Sequence, residues 1–385
     1  MSRIYLDHAA TTPPAPGVIE AVLRAMREEW GNASSSHSPG QAARRMVDSA
    51  RVAVAELLGA RAEEIFFTSG ATESVDWAVG SAPRFIRGRG DRLVSSSVEH
   101  PCGLSSARRV EEQGWKAVQA GVDGGGLLDL EAFKGLLAVK TALVSVMLAN
   151  NETGTIQPVR DAARMAREAG ALFHTDATQA VGRIRVDVNE LGVDYLSLSG
   201  HKFYGPKGVG VLFVRRGAPL EPFMIGGEQE RGKRAGTMNV PGIAGLGVAA
   251  EMAVRCLDER AGHARKVRDA LERGLLSRLS GPEINGCPEP RLPSHLNIHF
   301  PGVDAESLLM ALDVSGIAAS TGSACASGAA EPSHVLTAMG LPRIRALSSV
   351  RFTTGGENRM EDAGPAVEAV VTAFERLSRS SPRAA

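Results

Sequence analysis

The stretch YLSLSGHKFYGPKGVGVLFV, residues Tyr195 to Val214, decides the architecture of this chain. Two short apolar runs, 195–199 and 209–214, flank a loop that holds Gly200, Gly205 and Gly208. Runs of this length and composition bounded by turn formers read as strands. A connection this short joins antiparallel neighbours. Toward the N-terminus the pattern becomes an alternation. Helical patterns cover 41–58, 74–86, 104–113 and 159–169, and strand patterns cover 64–68, 92–96, 142–148 and 171–175. Strands alternating with helices predict βαβ units and a largely parallel sheet with helices on both faces. Toward the C-terminus the pattern changes to a long helix with its core at 260–279, a Pro/Gly-rich stretch, a strand at 296–300 and helices at 305–312 and 365–377. We therefore expect an α/β chain with a large domain over 13–257 and a smaller α+β domain formed by 1–12 and 258–385.

Composition narrows the function classes. Of 385 residues, 43% are hydrophobic and 22% charged, as in ordinary globular proteins. Basic and acidic side chains balance at 43 each, so no basic excess is available to neutralise phosphates, and a nucleic-acid partner is not expected. Asp7 and His8 interrupt the N-terminus before a signal-like apolar stretch can form. The apolar run 240–250 holds Pro241, Gly242, Gly245 and Gly247 and is too short for a membrane span. Cys102, Cys256, Cys287 and Cys325 form no CxxC pair and no disulfide framework. The expectation is a cytoplasmic protein with no membrane association and no metal site.

In open α/β sheets, ligands bind beyond the carboxyl ends of the strands. The polar clusters of this sequence fall at those ends. Thr68-Ser69-Gly70-Ala71-Thr72-Glu73 follows one strand and opens a helix; it reads equally as a phosphate cradle or as a plain helix cap. His100 ends the next strand, where a lone histidine is more often a loop residue than a catalyst. Asn150-Asn151-Glu152-Thr153-Gly154 follows the third and has the composition of a turn. Asp176 emerges from an apolar strand, which is costly unless the carboxylate has a partner. Lys202 is the most informative of the set. The chain has only seven lysines, and two of them, Lys202 and Lys207, share the glycine-rich loop. Lys207 sits in a Gly-Pro-Lys-Gly turn and reads as exposed. Phosphate donors, a buried carboxylate and a partly desolvated lysine at adjacent strand ends match the needs of pyridoxal 5'-phosphate. No GxxxxGK[ST] loop is present, and no GxGxxG opens a helix after the first strand.

Taken together and in order, these blocks resemble the cysteine desulfurases of NifS/IscS-like type, a branch of the class V aminotransferase family within fold-type I pyridoxal-phosphate enzymes. The resemblance rests on YLDHAATT (5–12), TSGATES (68–74), NNE (150–152), DATQ (176–179), SGHKFYGPKG (199–208), RAGT (234–237), TGSACAS (321–327) and EPSH (331–334). It implies a large domain built on a mainly parallel seven-stranded sheet. It implies that Lys202 links to the cofactor aldehyde, that Asp176 pairs with the ring nitrogen and that His100 lies over the ring and assists proton transfers. Gln179 would meet the ring oxygen, with Asn151 nearby on the cofactor and substrate side. Ala71, Thr72, Ser199 and His201 would hold the phosphate, joined by Thr237 from the second subunit of a homodimer. Arg351 would take the substrate carboxylate, with Asn32 on the same side. Cys325 would carry sulfur from L-cysteine as a persulfide and pass it to an acceptor protein, an iron–sulfur scaffold or a thiol carrier, leaving L-alanine.

A lone cysteine is usually a small buried apolar group, and Cys256, in a helical pattern, fits that description. Cys325 instead lies among Thr321, Gly322, Ser323, Ala324, Ala326, Ser327 and Gly328, which are poor material for a packed core. Such a stretch suits a thiolate that must visit substrate sulfur and then deliver it elsewhere. The sequence departs from the family at Ala33, where proline is common after Asn32, at Val75-Asp76, and at Gly356, where arginine is usual. The competing expectations are a selenocysteine lyase or aminotransferase on the same scaffold, and a sulfur-carrying scaffold without turnover.

Overall fold

The structure is a computed structural model that describes residues 3–322 and 331–380. A seven-stranded sheet forms its centre. Its strands are β2 (Ile65–Thr68), β3 (Arg92–Ser96), β4 (Lys116–Ala120), β5 (Leu143–Ser145), β6 (Leu172–Asp176), β7 (Tyr195–Ser199) and β8 (Gly210–Val214); β1 (Ile4–Tyr5) lies outside it. The spatial order is β2-β8-β7-β6-β5-β3-β4. Only β8 runs against its neighbours, which makes β7 and β8 the expected antiparallel hairpin. All the other strands therefore point their carboxyl ends to one side. Every residue of β6, β7 and β8 is buried, as expected of central strands covered on both faces.

Two backbone approaches shape that side of the sheet. A Cβ on Gly210 would stand 2.5 Å from the Cα of Gly70, so a glycine there lets the Ser69–Thr72 turn close onto β8. Tyr204 adopts a left-handed φ of 70°, and its hydroxyl accepts the amide of Gly356 at 2.7 Å. That bond ties the Lys202 loop to the C-terminal part of the chain.

The second part of the structure contains β9 (Glu283–Asn285), β10 (His295–His299), β11 (Ile317–Ala318) and β12 (Ser349–Thr353). Strands β9, β10 and β12 form an antiparallel sheet, and β1 pairs in parallel with β11. A separate core gathers Leu6, Leu271, Leu296, Leu308, Phe352 and Val370. The helix Val240–Arg278 runs without a break through residue 257. Its first half packs Ile243, Leu246 and Ala250 into the core of the large sheet, and its second half sends Leu271 and Leu275 into the other core.

Three expectations need correction. The helix expected over 74–86 is broken into Ala71–Val75, a wider turn at Asp76–Gly80, and Ala82–Phe85. The Asp76 carboxylate leaves the helix to pair with Arg109 of the helix Pro101–Glu112, and it lies where a Cβ on Gly80 would stand. Strand β4 was not expected, because as a half-exposed edge strand it carries Lys116 and Gln119 outward and shows no apolar run. The apolar run at 240–250 also belongs to a longer apolar window. The helix Val240–Arg278 is long and apolar enough to cross a bilayer by length and composition, and 56% of that window is buried inside the protein.

Candidate active site

The carboxyl ends of β2, β3, β5, β6 and β7 surround a cavity of about 470 Å³. Lys202, Ser199 and His201 enter it from the loop after β7, and Asp176 and Gln179 from the end of β6. Asn151, His100, Ala71 and Thr72 complete the wall from the ends of β5, β3 and β2. Nine residues singled out by sequence thus meet around one space, delivered by five turns along the same sheet edge.

Lys202 follows β7 in a short helical turn, Gly200–Lys202. Its Nζ donates to the carbonyls of Ala9 and Ala10, both at 2.7 Å, so the N-terminal segment forms part of the site. Burial, with Arg183 and Arg351 nearby, lowers its pKa to about 8, against the pull of Asp176 and Asp7. A lysine with that value keeps a sizeable neutral fraction near physiological pH. His201 is lowered to about 4 by burial and by Lys202 and is therefore neutral. Its Nδ1 meets the Thr11 hydroxyl at 3.1 Å.

Asp176 is buried and accepts the Thr178 amide at 2.9 Å on Oδ1. One strand turn earlier, His174 is held between the hydroxyls of Ser145 and Ser197, each at 2.9 Å. Burial lowers its pKa to about 4, so this histidine is a neutral strut beneath the site. Three buried polar atoms of the cavity wall, Asn151 Oδ1, Thr178 Oγ1 and Gln179 Oε1, have no hydrogen-bond partner among the described residues. Buried polar groups are costly to leave unpaired, so these three fit a polar ligand seated among them. The Gln179 Nε2 already donates to Ala9 O at 2.9 Å, so this side chain presents its oxygen to the cavity.

His100 caps the helix Pro101–Glu112. Its Nδ1 accepts the Cys102 amide at 3.2 Å and lies 3.0 Å from the Cys102 Sγ. Burial lowers the pKa of His100, opposed by Asp176 and helped by Lys202. Behind it, Glu99 is fully enclosed and accepts the Ser96 hydroxyl at 2.5 Å and the Met147 amide at 2.7 Å. Burial outweighs both bonds and raises its pKa to about 8.

This arrangement has close counterparts among known proteins. The aminotransferase class-V family model matches residues 4–364. The chain belongs to that family. A cysteine desulfurase of Gluconacetobacter diazotrophicus is 46% identical over 384 residues, covering 99% of this chain and 96% of the relative. The cysteine desulfurase IscS of Methanosarcina thermophila is 42% identical, covering 98% of this chain and 94% of the relative. Among solved structures, a NifS-like protein superposes with a TM-score of 0.92 at 38% identity, covering 97% of this chain and all of the other. The fold is that of fold-type I pyridoxal-phosphate enzymes, as the sequence blocks imply.

Within this class-V chain, three of the expected site residues that the structure describes stand apart from the cavity wall. Arg351 lies in the middle of β12, buried, with its guanidinium on Asp7 Oδ1 at 2.7 Å and on the carbonyl of Asn151 at 2.8 Å. It is close enough to depress Lys202 but does not line the cavity. Asn32 is exposed, and its side-chain oxygen accepts the Ser34 amide at 2.9 Å. Thr237 is exposed beside Arg234, which pairs with Glu73. Cys325 lies outside the described residues. The described chain on either side of it is anchored to the site. The Ser320 amide donates to Arg351 O at 3.2 Å, the Ser333 hydroxyl to Glu152 at 2.5 Å, and the His334 ring meets Glu99 O at 2.9 Å.

Sequence reading missed Cys102, which lines the cavity. No motif surrounds it, and a lone cysteine reads as a small apolar group.

Proposed function

We propose that this chain is a pyridoxal 5'-phosphate-dependent cysteine desulfurase, removing sulfur from L-cysteine, releasing L-alanine and carrying the sulfur as a persulfide on Cys325. The observation that carries the reading is Lys202, buried, with its pKa lowered to about 8, in one cavity with Asp176 and His100. The named relatives are cysteine desulfurases, and another solved relative, 33% identical with a TM-score of 0.80 and covering 91% of this chain, is described as SspA in complex with cysteine.

The side chains fit the cofactor. Ala71, Thr72, Ser199 and His201 would hold its phosphate, with Thr237 of the second subunit in a homodimer, and Asp176 would pair with its ring nitrogen. Gln179 would meet the ring oxygen as a donor only after its amide turned over and left Ala9 O. When bound, the cofactor supplies an electron sink for the charge left at the substrate Cα. Lys202, once neutral, takes the Cα proton and returns a proton beyond it. His100, neutral and against the cavity, handles protons on the other side. Arg351 exchanges Asp7 for the substrate carboxylate, which its planar fork suits. The Cys325 thiolate attacks the substrate sulfur, the Cβ–S bond breaks, and its electron pair stays with the substrate and is protonated to give L-alanine. Asn32 would assist on the substrate side.

The division into a cofactor-binding unit over 13–257 and a unit of 1–12 and 258–385 belongs to the same proposal. The two separate cores support it, and the uninterrupted helix Val240–Arg278 would make the joint helical. We infer an acceptor protein of scaffold or thiol-carrier type in the cytoplasm.

The test is product formation from L-cysteine with a thiol reductant, with Cys325→Ala alongside. Equal alanine and sulfide, both lost in the variant, support the desulfurase. Keto-acid-dependent amino transfer without sulfide would instead make the chain an aminotransferase. Turnover of selenocysteine alone would make it a lyase, and cofactor binding without any turnover a carrier.

A further inference from the structure

Cys102 is a buried thiol in the cavity wall that the desulfurase chemistry does not use. Its Sγ lies 3.0 Å from the Nδ1 of His100, and its own amide donates to the same nitrogen at 3.2 Å. Thr72 lines the same cavity wall. A nitrogen that accepts a backbone N–H carries no proton of its own, so neutral His100 holds its proton on Nε2. The same nitrogen is then an acceptor for the S–H.

We infer that Cys102 is a positioning residue for His100: its thiol donates to Nδ1, fixing the ring as the Nε2–H tautomer and holding it neutral through the working pH range. The inference rests on the reading of this cavity as the active site, and it concerns a residue to which that reading gives no role. To act in this way the thiol must stay protonated. Burial, with Asp176 and Glu99 nearby, pushes the Cys102 thiol far up, so it remains S–H. Protonating His100 at Nδ1 would set a new N–H against both the Cys102 amide and the thiol. Two donors on Nδ1 therefore favour the neutral ring.

The charged and titratable groups that face His100 are Asp176 from β6, Lys202 from the loop after β7, and His334 from the helix His334–Ala338; Glu99 faces the thiol. Asp176 favours the charged ring; Lys202 and His334 oppose it. None of these three hydrogen-bonds to Nδ1, so the Cys102 contact sets the tautomer and the others set the field.

The experiment is a nitrogen NMR titration of the cofactor-loaded protein labelled in its histidine rings, with His100 assigned by its loss in His100→Gln. Wild type should show His100 with an unprotonated Nδ1 and a protonated Nε2. In Cys102→Ala the His100 pKa should rise by about half to one pH unit, the worth of one modest hydrogen bond. Cys102→Ser, which keeps a donor of similar reach, should restore it. The acid limb of the alanine-formation profile should move by the same amount. An Nδ1–H tautomer in wild type would overturn the inference, and so would a Cys102→Ala pKa equal to that of wild type. The titration reads His100 whether or not L-cysteine turns over, so failure here and failure of the desulfurase reading remain separate results.

Discussion

Burial moves two side chains of the site in the direction that disfavours charge, and each has a consequence that can be measured. Lys202, brought to about 8, must be neutral to accept a proton, so product formation should rise with pH and level off above about 8. Lys202→Ala should lower turnover by about 10²–10⁴-fold, measured as alanine formed. Glu99, raised from 4.5 to about 8, has the opposite dependence in stability. The folded state holds this proton more tightly than the unfolded chain. Its contribution is therefore complete below about pH 4.5 and is lost as pH rises through about 8. Glu99→Gln should remove that part of the slope, so that denaturant unfolding shows the variant gaining on wild type between pH 5 and pH 8. Lys202 and Asp176 were legible in the sequence, one as a lysine in a lysine-poor chain and the other as a carboxylate in an apolar strand. Glu99 and Cys102 were not. Nothing in a single sequence says that a glutamate is wholly enclosed or that a lone thiol faces a ring nitrogen.

At the level of elements, the free edge of β2 shows how the sheet is closed. The Phe67 amide donates to Glu230 Oε2 at 3.0 Å, and the Ile65 carbonyl accepts from Arg51 and Arg231, each at 2.7 Å. Arg51, on the helix Ser38–Leu58, also forks onto both oxygens of Glu230. Side chains thus occupy an edge that would otherwise offer unpaired backbone groups to another chain. Glu230→Ala would leave a nearly buried guanidinium without its partner and should cost about 3–5 kcal/mol in unfolding free energy. The same scale explains which elements the sequence revealed. Strands β6 to β8 are buried on both faces and read as apolar runs. Strands β1, β9 and β11 are two or three residues long, too short for any period to show. Strand β12 was hidden by Arg351 at its centre, the residue that its buried position serves.

Across the whole molecule, the N-terminal segment joins the two cores. It begins as β1 against β11, sends Leu6 into the second core, offers Asp7 to Arg351 and ends with the carbonyls of Ala9 and Ala10 on Lys202. His8 is buried between these contacts, and a Cβ on Gly355 would stand 2.4 Å from its ring. Gly355→Ala should therefore displace the segment and destabilise the fold by about 1–3 kcal/mol, read as a lowered midpoint of thermal or denaturant unfolding. The block YLDHAATT marked this segment in the sequence only by resemblance. Its physical role becomes visible once β1 and Lys202 are seen at its two ends.

Sulfur carried on one defined thiol is the central claim, and a single turnover tests it most directly. The cofactor-loaded protein is mixed with L-cysteine without reductant, alanine is counted per chain, and the cysteine-containing peptides are weighed by mass spectrometry. One alanine per chain with one added sulfur on the Cys325 peptide is the predicted result. Alanine formed with the added sulfur on Cys102, Cys256 or Cys287, and never on Cys325, would contradict it.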